Sequence, residues 1–431
     1  MGIKLGILGL GTVGTGTVEL LLDSTGRNPL LSEIEIYRVG VRELNKPRKV
    51  KLPDGVIIND LNAIVSDPQV DIIVELIGGV EPARSLVLRA IQFGKHIITA
   101  NKALISRFGD EIFTAADQAG VYVMLEAAVG GGIPVIRPLK ESLSINRINT
   151  VTAIINGTTN YILTQMQMGS GSFDDVLTDA QNLGYAEADP SADIDGLDAA
   201  DKIAILASLA FNGRIRLEEV YYEGICKVSK IDIVYAEKLG FVIKLLAIAQ
   251  QDKKDNLPAP LSVRVHPTLV PKEHPLASIN GIYNAILVEG EPIGQVMFFG
   301  PGAGAGATAS AVSSDILNMV AELKISAQTL NPILTWKLHK HNEITPIEEL
   351  ITRFYARILT RDEPSVVGKL GTCFGKYGVS LESVVQTGFQ DKLAEIVVVT
   401  HDVREGDFRQ ALKEIESLDT IHSTPSIFRV L

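Results

Sequence analysis

A cluster of glycines directly follows the first apolar run of the chain, which covers residues 3–8. The cluster reads Gly9-Leu10-Gly11-Thr12-Val13-Gly14 and opens a helical pattern. The first glycine permits a tight turn, the second lets a ligand approach the backbone, and the third lets the helix pack closely on the strand. Because a helix start also offers unpaired N–H groups and partial positive charge, the turn suits the phosphates of a dinucleotide. A glycine turn without a ligand is the alternative. The residues predicted to contact the cofactor are Gly9, Gly11, Thr12, Val13 and Gly14.

Short apolar runs alternate with helical patterns through the first third of the chain. After residues 3–8, the runs lie at 34–41, 72–76, 96–100 and 121–125. Alternation of this kind is typical of a parallel sheet covered by helices on both faces. The sequence therefore predicts an α/β fold in which residues 1–133 form a Rossmann-type domain that binds NAD or NADP.

The middle of the chain has a mixed pattern. Strand-like runs at 148–155, 261–270 and 282–288 are interspersed with helical patterns at 173–183, 199–211 and 234–252. This mixture indicates an α+β domain, which we assign to residues 134–301. A further glycine-rich turn at 302–306 leads into another helical pattern. We expect residues 302–330 to pack back on the nucleotide-binding domain and Gly302 to contact the cofactor.

Residues 350–431 have a compact pattern of their own. Strand-like and helical runs follow one another in the order strand, helix, strand, strand, helix, strand. That order is the ferredoxin-like arrangement. The polar stretch 331–349, which contains His339 and His341, is interpreted as a linker whose histidines are exposed rather than metal ligands.

The composition argues against several classes of protein. Lys+Arg 40 and Asp+Glu 51 give a formal net charge of -11, which is unfavourable for binding nucleic acid. No stretch has the roughly twenty strongly apolar residues of a membrane span. The two cysteines, Cys226 and Cys373, lack CxxC spacing, as is typical of a reducing compartment. Since the chain also begins without a leader pattern, we expect a cytoplasmic protein.

The residues after the second predicted strand bear on the choice of cofactor. An acidic residue at this point binds the ribose of NAD, whereas an arginine accommodates the 2′-phosphate of NADP. Arg42 favours NADP, and Glu43 beside it leaves NAD open. Three more cations follow: Lys46, Arg48 and Lys49. An ordinary solvated basic loop is the alternative.

Two lysines are candidates for proton transfer. Lys102 follows a predicted strand, at the edge where doubly wound sheets bind their ligands. Lys202 stands four residues after Asp198 at the start of an apolar helical pattern, so the two side chains share one helix face. A carboxylate held there orients a substrate, and an ammonium group moves a proton. The alternatives are a solvated lysine and a surface salt bridge, which contributes little to stability.

The same region resembles the signature of homoserine dehydrogenases. The agreement covers Ala180, Gly184, Tyr185, Asp189, Pro190, Asp193, Gly196, Asp198 and Lys202. Residues 126–134 and 156–161 look like two further segments of that family. Residues 362–366 and 378–384 are similar to ACT regulatory domains. The resemblance covers nearly the whole chain.

The resemblance implies the reversible reduction of L-aspartate 4-semialdehyde to L-homoserine with NAD(P)H, in the synthesis of threonine, methionine and isoleucine. It implies that Lys202 transfers the proton, that Lys102 is a second active-site lysine that also contacts the cofactor, and that residues 134–301 serve catalysis and dimerisation. The implied substrate contacts are Gly184, Glu187 and Asp198. Hydride addition to an aldehyde leaves an alkoxide, which needs a proton donor and a positive partner. Two clustered ammonium groups would each make the other easier to deprotonate.

The family match also implies a monovalent-cation site, with sodium as the expected ion. Its ligands are Glu126 and the backbone carbonyls of Val129, Gly131 and Ile133. Carboxylate and carbonyl oxygens are what a hard cation prefers. A glycine-rich hinge without an ion is the alternative.

The resemblance to ACT domains implies that residues 350–431 bind an amino-acid effector, with L-threonine the expected one. A dimerisation domain without a ligand is the alternative, because this fold alone does not determine function. By the same resemblance, the protein is expected to be a homodimer or a homotetramer.

Two other functions compete with this interpretation. An aspartate-semialdehyde dehydrogenase needs a nucleophilic cysteine near a histidine, and neither cysteine lies in such a motif. A regulator that senses NAD(P) without catalysis needs a DNA-binding module or a basic patch, and the sequence contains neither.

Overall fold

The computed structural model of the protein describes residues 2–251, 259–325, 329–336, 340–390 and 393–431. The strands are β1 (Ile3–Leu8), β2 (Ile34–Gly40), β3 (Ile57–Ile58), β4 (Ile72–Glu75), β5 (His96–Thr99), β6 (Val123–Met124), β7 (Arg147–Ile154), β8 (Tyr221–Tyr222), β9 (Phe241–Gln251), β10 (Leu261–Pro271), β11 (Tyr283–Glu291), β12 (Gly294–Pro301), β13 (Ile351–Thr360), β14 (Leu381–Gln390), β15 (Leu393–Thr400), β16 (Val403–Arg404) and β17 (Ile421–Val430).

The helices are α1 (Thr12–Leu22), α2 (Leu61–Ser66), α3 (Ala83–Gln92), α4 (Lys102–Ala119), α5 (Ile136–Lys140), α6 (Gly157–Gln167), α7 (Phe173–Asn182), α8 (Ser191–Ile194), α9 (Leu197–Ala210), α10 (Lys230–Lys238), α11 (Ala305–Ile325), α12 (Val366–Lys376) and α13 (Glu405–Glu416). Across the described ranges, no helix combines the length and the apolar composition that crossing a membrane requires.

The chain divides into two compact units, each of which draws on separate stretches of sequence. The first unit contains residues 1–151, 201–218 and 284–342, and the second contains residues 152–200, 219–283 and 343–431. The domain boundaries proposed from the sequence divide the chain differently, and they stay a prediction.

The first unit contains a six-stranded sheet with the order β3-β2-β1-β4-β5-β6. All five strand pairs are parallel. The order reverses between β1 and β4, which is the topology of a doubly wound sheet. Leu5, Ile7, Ile72 and Val74 are fully buried, as expected for strands covered on both faces. The predicted Rossmann-type sheet is confirmed.

Helix α11 packs against this sheet domain. A Cβ atom on Gly16 of α1 would lie 3.1 Å from the Cβ atom of Ala309 in α11, so the two helices are in close contact. Val312, Ile316 and Met319 of α11 belong to the same apolar core as the strands. Small side chains at the contact therefore hold α11 against the helix that follows the glycine turn.

The second unit contains the long antiparallel pair β9 and β10, which are 11 residues each. The end of β10 pairs in parallel with β17, at Thr268 with Arg429. From β17 the sheet continues through β13, β15 and β14, all antiparallel. These four strands and helices α12 and α13 have the order predicted for residues 350–431, so the ferredoxin-like fold is confirmed.

One element predicted from the sequence is wrong. A helix is predicted over residues 234–252, but α10 ends at Lys238, Gly240 adopts a φ of 86°, and β9 begins at Phe241. Asp252 lies outside the described residues. Eight of the eleven residues at 241–251 are apolar, the exceptions being Lys244, Gln250 and Gln251, so the run has no period that separates a buried strand from a buried helix. Pairing with β10 along its whole length makes it a strand.

The segment predicted as a linker contains ordered contacts. In the second unit, the Leu261 N–H donates to the Glu343 carbonyl at 2.8 Å and the Thr345 N–H donates to the Leu261 carbonyl at 2.7 Å. In the first unit, the exposed His341 forms a β-bridge with Arg214. His339 lies outside the described residues.

Candidate active site

The glycine turn of the first unit has the geometry that its sequence predicts. Gly9 adopts a φ of 106°, which is unfavourable for other residues, and a Cβ atom there would lie 2.8 Å from the Leu76 carbonyl oxygen. A Cβ atom on Gly14 would lie 2.2 Å from the Gly9 carbonyl oxygen. These two glycines are therefore required by the packing of β1, the turn and α1.

Packing does not require the middle glycine. A Cβ atom on Gly11 would have no neighbour within 4 Å, and Gly11 caps α1 without a side-chain hydrogen bond. Gly11 and Thr12 are exposed, and Val13 is half-buried. The first amides of α1 therefore face open space, as a phosphate-binding helix start requires.

A buried carboxylate organises the carboxyl edge of the parallel sheet. Glu75 ends β4 and is fully buried; its carboxylate accepts hydrogen bonds from the Ile77 N–H at 2.9 Å and the Thr99 hydroxyl at 2.6 Å. Burial raises its pKa, and these donors counteract that effect. Glu75 thus connects the loop after β4 to the end of β5. The sequence analysis missed this residue, although an acid that ends an apolar strand was a usable signal.

Lys102 is the first residue of α4, directly after that edge. Asn101 caps the helix by accepting a hydrogen bond from the Leu104 N–H at 3.1 Å, and its amide donates to the Gly79 carbonyl at 2.6 Å. The cap fixes the direction in which α4 starts and so the position of the Lys102 backbone.

Lys202 lies on α9, one turn after Asp198, and is half-buried. Its neighbour Asp201 is buried, accepts a hydrogen bond from the Ser106 hydroxyl at 2.6 Å and forms a salt bridge with Arg107, whose guanidinium lies 3.3 Å away. Ser106 and Arg107 belong to α4. One carboxylate therefore connects the helices that carry the two predicted active-site lysines, and the sequence analysis assigned no role to it.

In the second unit, an asparagine side chain forms hydrogen bonds with two carboxylates. Asn156 caps α6 by accepting a hydrogen bond from the Thr159 N–H at 2.9 Å. Its amide nitrogen donates to Asp193 at 2.7 Å and to Asp198 at 2.8 Å. Asp198 is only 7% exposed, so the amide supplies part of the polar environment that a buried carboxylate needs.

The other predicted substrate contacts lie on the turn after α7. Gly184 adopts a φ of 75° and is exposed, as is Glu187. The side-chain amide of Gln181 donates to the Glu187 carbonyl at 3.1 Å, which ties the turn to the helix. The positive φ accounts for the glycine at 184 without reference to a ligand.

Arg42 is exposed and lies just beyond the end of β2. Within the described part of the chain, it takes part in no hydrogen bond or ion pair. Arg48, by contrast, donates to the carbonyls of Leu44 at 2.9 Å and Lys46 at 2.8 Å. Arg48 therefore stabilises its own loop, and the contact of Arg42 with the cofactor stays a prediction.

Glu126 is buried and is held by backbone amides. Its carboxylate accepts hydrogen bonds from the N–H groups of Val135 at 2.6 Å, Ile136 at 2.8 Å and Arg137 at 2.9 Å, at the start of α5. The Glu126 N–H donates to Asp315 at 2.8 Å. Burial raises the pKa of both carboxyl groups.

The glycine-rich loop after Glu126 packs against the turn before α11. A Cβ atom on Gly131 would lie 2.3 Å from the Gly302 carbonyl oxygen, and one on Gly302 would lie 1.9 Å from the Asn284 amide. Both glycines are therefore required by close packing, whether or not Gly302 contacts a cofactor.

Comparisons with known proteins show which family the chain belongs to. Family models described as the NAD binding domain of homoserine dehydrogenase and as homoserine dehydrogenase match residues 9–126 and 134–317, and an ACT domain model matches residues 354–420. The homoserine dehydrogenase of Synechocystis sp. is 61% identical over 100% of both chains. That of Bacillus subtilis is 39% identical over 99% of this chain and 98% of its own.

Solved structures give the same result. The crystal structure of a homoserine dehydrogenase from Thiobacillus denitrificans has a TM-score of 0.93 and 39% identity, and covers 100% of this chain and 98% of that one. A hyperthermophilic archaeal homoserine dehydrogenase in complex with NADPH has a TM-score of 0.63 and 25% identity, over 74% of this chain and 98% of that one.

The comparisons give no such support to an aspartate-semialdehyde dehydrogenase or to a regulator that senses NAD(P). Desolvation and the nearby Asp195 carboxylate raise the pKa of the Cys226 thiol, which is the opposite of what a nucleophilic thiolate requires. The sequence signature, the two folds and the full-length relatives all agree, and the chain is an oxidoreductase of the homoserine dehydrogenase family.

Proposed function

We propose that the protein reduces L-aspartate 4-semialdehyde to L-homoserine with NADPH, and that Lys202 donates the proton. The observation that supports these roles is the Asp201 carboxylate, which connects α9 to α4 and so holds the helices of Lys202 and Lys102 together. The cofactor, when bound, supplies a hydride to the aldehyde carbon. The aldehyde oxygen then carries the negative charge, and the Lys202 ammonium transfers a proton to it while Lys102 stabilises the charge.

The test is to replace Lys202 with alanine. We expect homoserine oxidation to fall by about 10²–10⁴-fold, the usual contribution of a general acid or base. Binding of the cofactor, followed by quenching of protein fluorescence, is expected to persist. Lys413→Ala, an exposed lysine of α13, is the matched control and should leave turnover unchanged. Undiminished oxidation by Lys202→Ala would remove Lys202 from the mechanism.

For the substrate, we assign its ammonium group to Asp198, with Glu187 and the Gly184 backbone beside it. The buried Asp198 is suited to this role because Asn156 fixes one carboxylate oxygen and restricts the side chain to one orientation. A carboxylate held in place binds an ammonium group at a lower entropic cost than a mobile one does.

The preference for NADP rests on Arg42. Its exposed guanidinium suits a 2′-phosphate, with which it forms charge-assisted hydrogen bonds. The archaeal relative in complex with NADPH supports the same choice. Glu43 is the residue that would act in NAD binding, and comparison of the two cofactors in one assay decides between them.

We assign a monovalent cation, with sodium expected, to Glu126 and the carbonyls of Val129, Gly131 and Ile133. Within the described residues, those three carbonyl oxygens accept no hydrogen bond. They belong to buried residues, so a cation would supply the partner that buried carbonyls need. Homoserine oxidation in sodium chloride should exceed that in choline chloride, and Glu126→Gln should reduce the difference. An unchanged sodium response in that variant would contradict the assignment.

Residues 350–431 are proposed to regulate the enzyme by binding an amino acid, with L-threonine expected. The ACT domain match supports small-molecule regulation. The protein is proposed to be a cytoplasmic homodimer or homotetramer, and light scattering of the purified protein measures the number of subunits.

A further inference from the structure

A lysine lies in the interior of the second unit without a carboxylate partner. Lys244, on β9, is 0% exposed. Desolvation lowers its pKa from the ordinary 10.5 to about 8. Among the residues that the structure describes, no charged group counteracts that shift or forms an ion pair with Lys244. A buried charge of this kind needs hydrogen-bond acceptors in place of water.

Three oxygen atoms accept hydrogen bonds from the Lys244 ammonium group. Its Nζ atom donates to the Ile279 carbonyl at 2.5 Å, to Asn280 Oδ1 at 2.9 Å and to Asn160 Oδ1 at 3.3 Å. An ammonium group has three donors and no acceptor, so it satisfies all three oxygens at once, which no uncharged side chain does from a single atom. Lys244 therefore connects helix α6, which carries Asn160, to the segment 279–282.

One face of α6 packs closely against that segment. A Cβ atom on Gly157 would lie 2.9 Å from the Ile282 carbonyl oxygen. The Gly281 N–H donates to the Thr164 hydroxyl at 3.1 Å. Gly157, Asn160 and Thr164 recur at the three- and four-residue spacing that places side chains on one helix face. The contacts of this face, with the Lys244 ammonium group at their centre, therefore fix the position of α6.

The start of the same helix holds the groups that are proposed to bind the substrate. Asn156, which caps α6, donates to Asp198 at 2.8 Å. The Thr158 hydroxyl donates to the Tyr185 carbonyl at 2.7 Å, in the turn that carries the other proposed substrate contacts. A displacement of α6 would move both donors. Whatever fixes α6 thus also fixes these two contacts.

We propose that Lys244 is a positioning residue of the active site. Its ammonium group holds α6 against the segment 279–282, and α6 in turn places the Asn156 amide that orients Asp198. Lys244 itself is enclosed by protein atoms and contacts neither substrate nor cofactor. The inference rests on the proposed function, in which Asp198 binds the ammonium group of homoserine. Loss of the Lys244 charge should therefore weaken substrate binding more than it slows the chemical step.

The experiment measures homoserine oxidation by the full-length protein with Lys244→Met, which removes the charge and keeps an unbranched side chain. KM for homoserine should rise by about tenfold, and kcat should change by less than about threefold. Lys95→Met is the matched control, because Lys95 is buried in the first unit and donates to the Val70 carbonyl at 2.6 Å. It should lower the midpoint of urea denaturation, as Lys244→Met does, and leave KM for homoserine normal. A normal KM in Lys244→Met, or an equal rise in Lys95→Met, would overturn the proposal.

A milder variant decides the question if Lys244→Met does not fold. Asn280 is an exposed residue, and Asn280→Ala removes one acceptor while the ammonium group stays in place. KM for homoserine should rise by about threefold, the usual effect of one hydrogen bond. A normal KM in this variant would contradict the role of Lys244.

A double variant tests whether Lys244 acts through Asn156. Asn156→Ala removes the amide that orients Asp198, so the further change Lys244→Met should keep kcat/KM within about threefold of Asn156→Ala alone. Losses that multiply would show that Lys244 acts by another route, and the proposal would fall. If the unchanged protein does not oxidise homoserine, the proposed function fails and this inference fails with it. If it does, and Lys244→Met has a normal KM, only the role of Lys244 fails.

Discussion

The side-chain amide of Asn156 donates to Asp198 at 2.8 Å, and the same nitrogen lies 2.7 Å from Asp193. One neutral donor thus holds two carboxylates that would otherwise repel each other. Asn156 is itself fixed because it caps α6. The orientation of the proposed ammonium-binding carboxylate therefore depends on a residue that contacts no reacting atom.

Asn156→Ala should lower kcat/KM for homoserine by about 10–100-fold, because a hydrogen bond to a charged group contributes about 1.5–3 kcal/mol. The effect should be larger on KM than on kcat, since the amide positions a binding group. Asn182→Ala, an exposed asparagine of α7, is the control and should have normal kinetics. A fall in kcat with KM unchanged would show that Asn156 does not act through substrate binding.

Arg42→Ala should lower kcat/KM with NADPH by about tenfold and leave kcat/KM with NADH within about twofold. The reason is that only NADPH carries the 2′-phosphate that the guanidinium is proposed to bind. Steady-state assays with each cofactor measure the ratio, and Lys51→Ala is the control from the same region. Equal losses with both cofactors would mean that Arg42 affects the fold of the loop and not the choice of cofactor.

His96 makes stability depend on pH. Burial lowers its pKa to about 4 from 6.5, and its Nδ1 atom accepts the Tyr122 N–H at 3.0 Å, which requires the neutral ring. Between these two pH values the unfolded state binds the proton and the folded state does not, so stability falls as the pH is lowered from 6.5 to 4. At about 1.4 kcal/mol per pKa unit, the loss reaches about 3 kcal/mol.

Denaturant unfolding of the protein at a series of pH values measures this loss. His96→Asn keeps an acceptor for Tyr122 but does not titrate, so it should flatten the decrease between pH 6.5 and pH 4. His422→Asn, at an exposed position, should leave the decrease as it is. An identical pH dependence in the His96 variant would assign the effect to other groups.

Arg357→Met should destabilise the second unit by about 3–5 kcal/mol. Arg357 lies 2.8 Å from Asp232 and 3.1 Å from Glu395, and the three side chains are at most 4% exposed. Removing the cation would leave two carboxylates buried without it. Lys376→Met breaks the exposed pair with Glu414 and should cost below about 1 kcal/mol. Urea denaturation compares the two variants, and equal costs would contradict the argument from burial.

The nucleotide-binding sheet could be predicted because its signals are local. The three glycines, the strand before them and the helix after them lie within about twenty residues, and packing accounts for Gly9 and Gly14. Strand β9 could not be predicted, because residues 241–251 are apolar at both the helical and the strand period. Only its pairing partner, farther along the chain, decides its structure.

The lysines and acids of the site could be predicted by resemblance, but the groups that hold them could not. Ser106 and Asp201 are 95 residues apart, and Asn156 and Asp198 are 42 residues apart. No local pattern indicates that such residues form hydrogen bonds. The signal for Glu75, an acid at the end of an apolar strand, was local, and the sequence analysis did not use it.

The parallel pairing of β10 with β17 has a consequence for shortened forms of the protein. Deleting residues 421–430 would leave unpaired backbone groups at the end of β10, where Thr268 and Leu269 pair with β17, and an exposed strand edge can pair with another molecule. The ACT domain thus covers the edge of β10. A truncated chain would need some other cover for that edge to stay in solution as separate molecules.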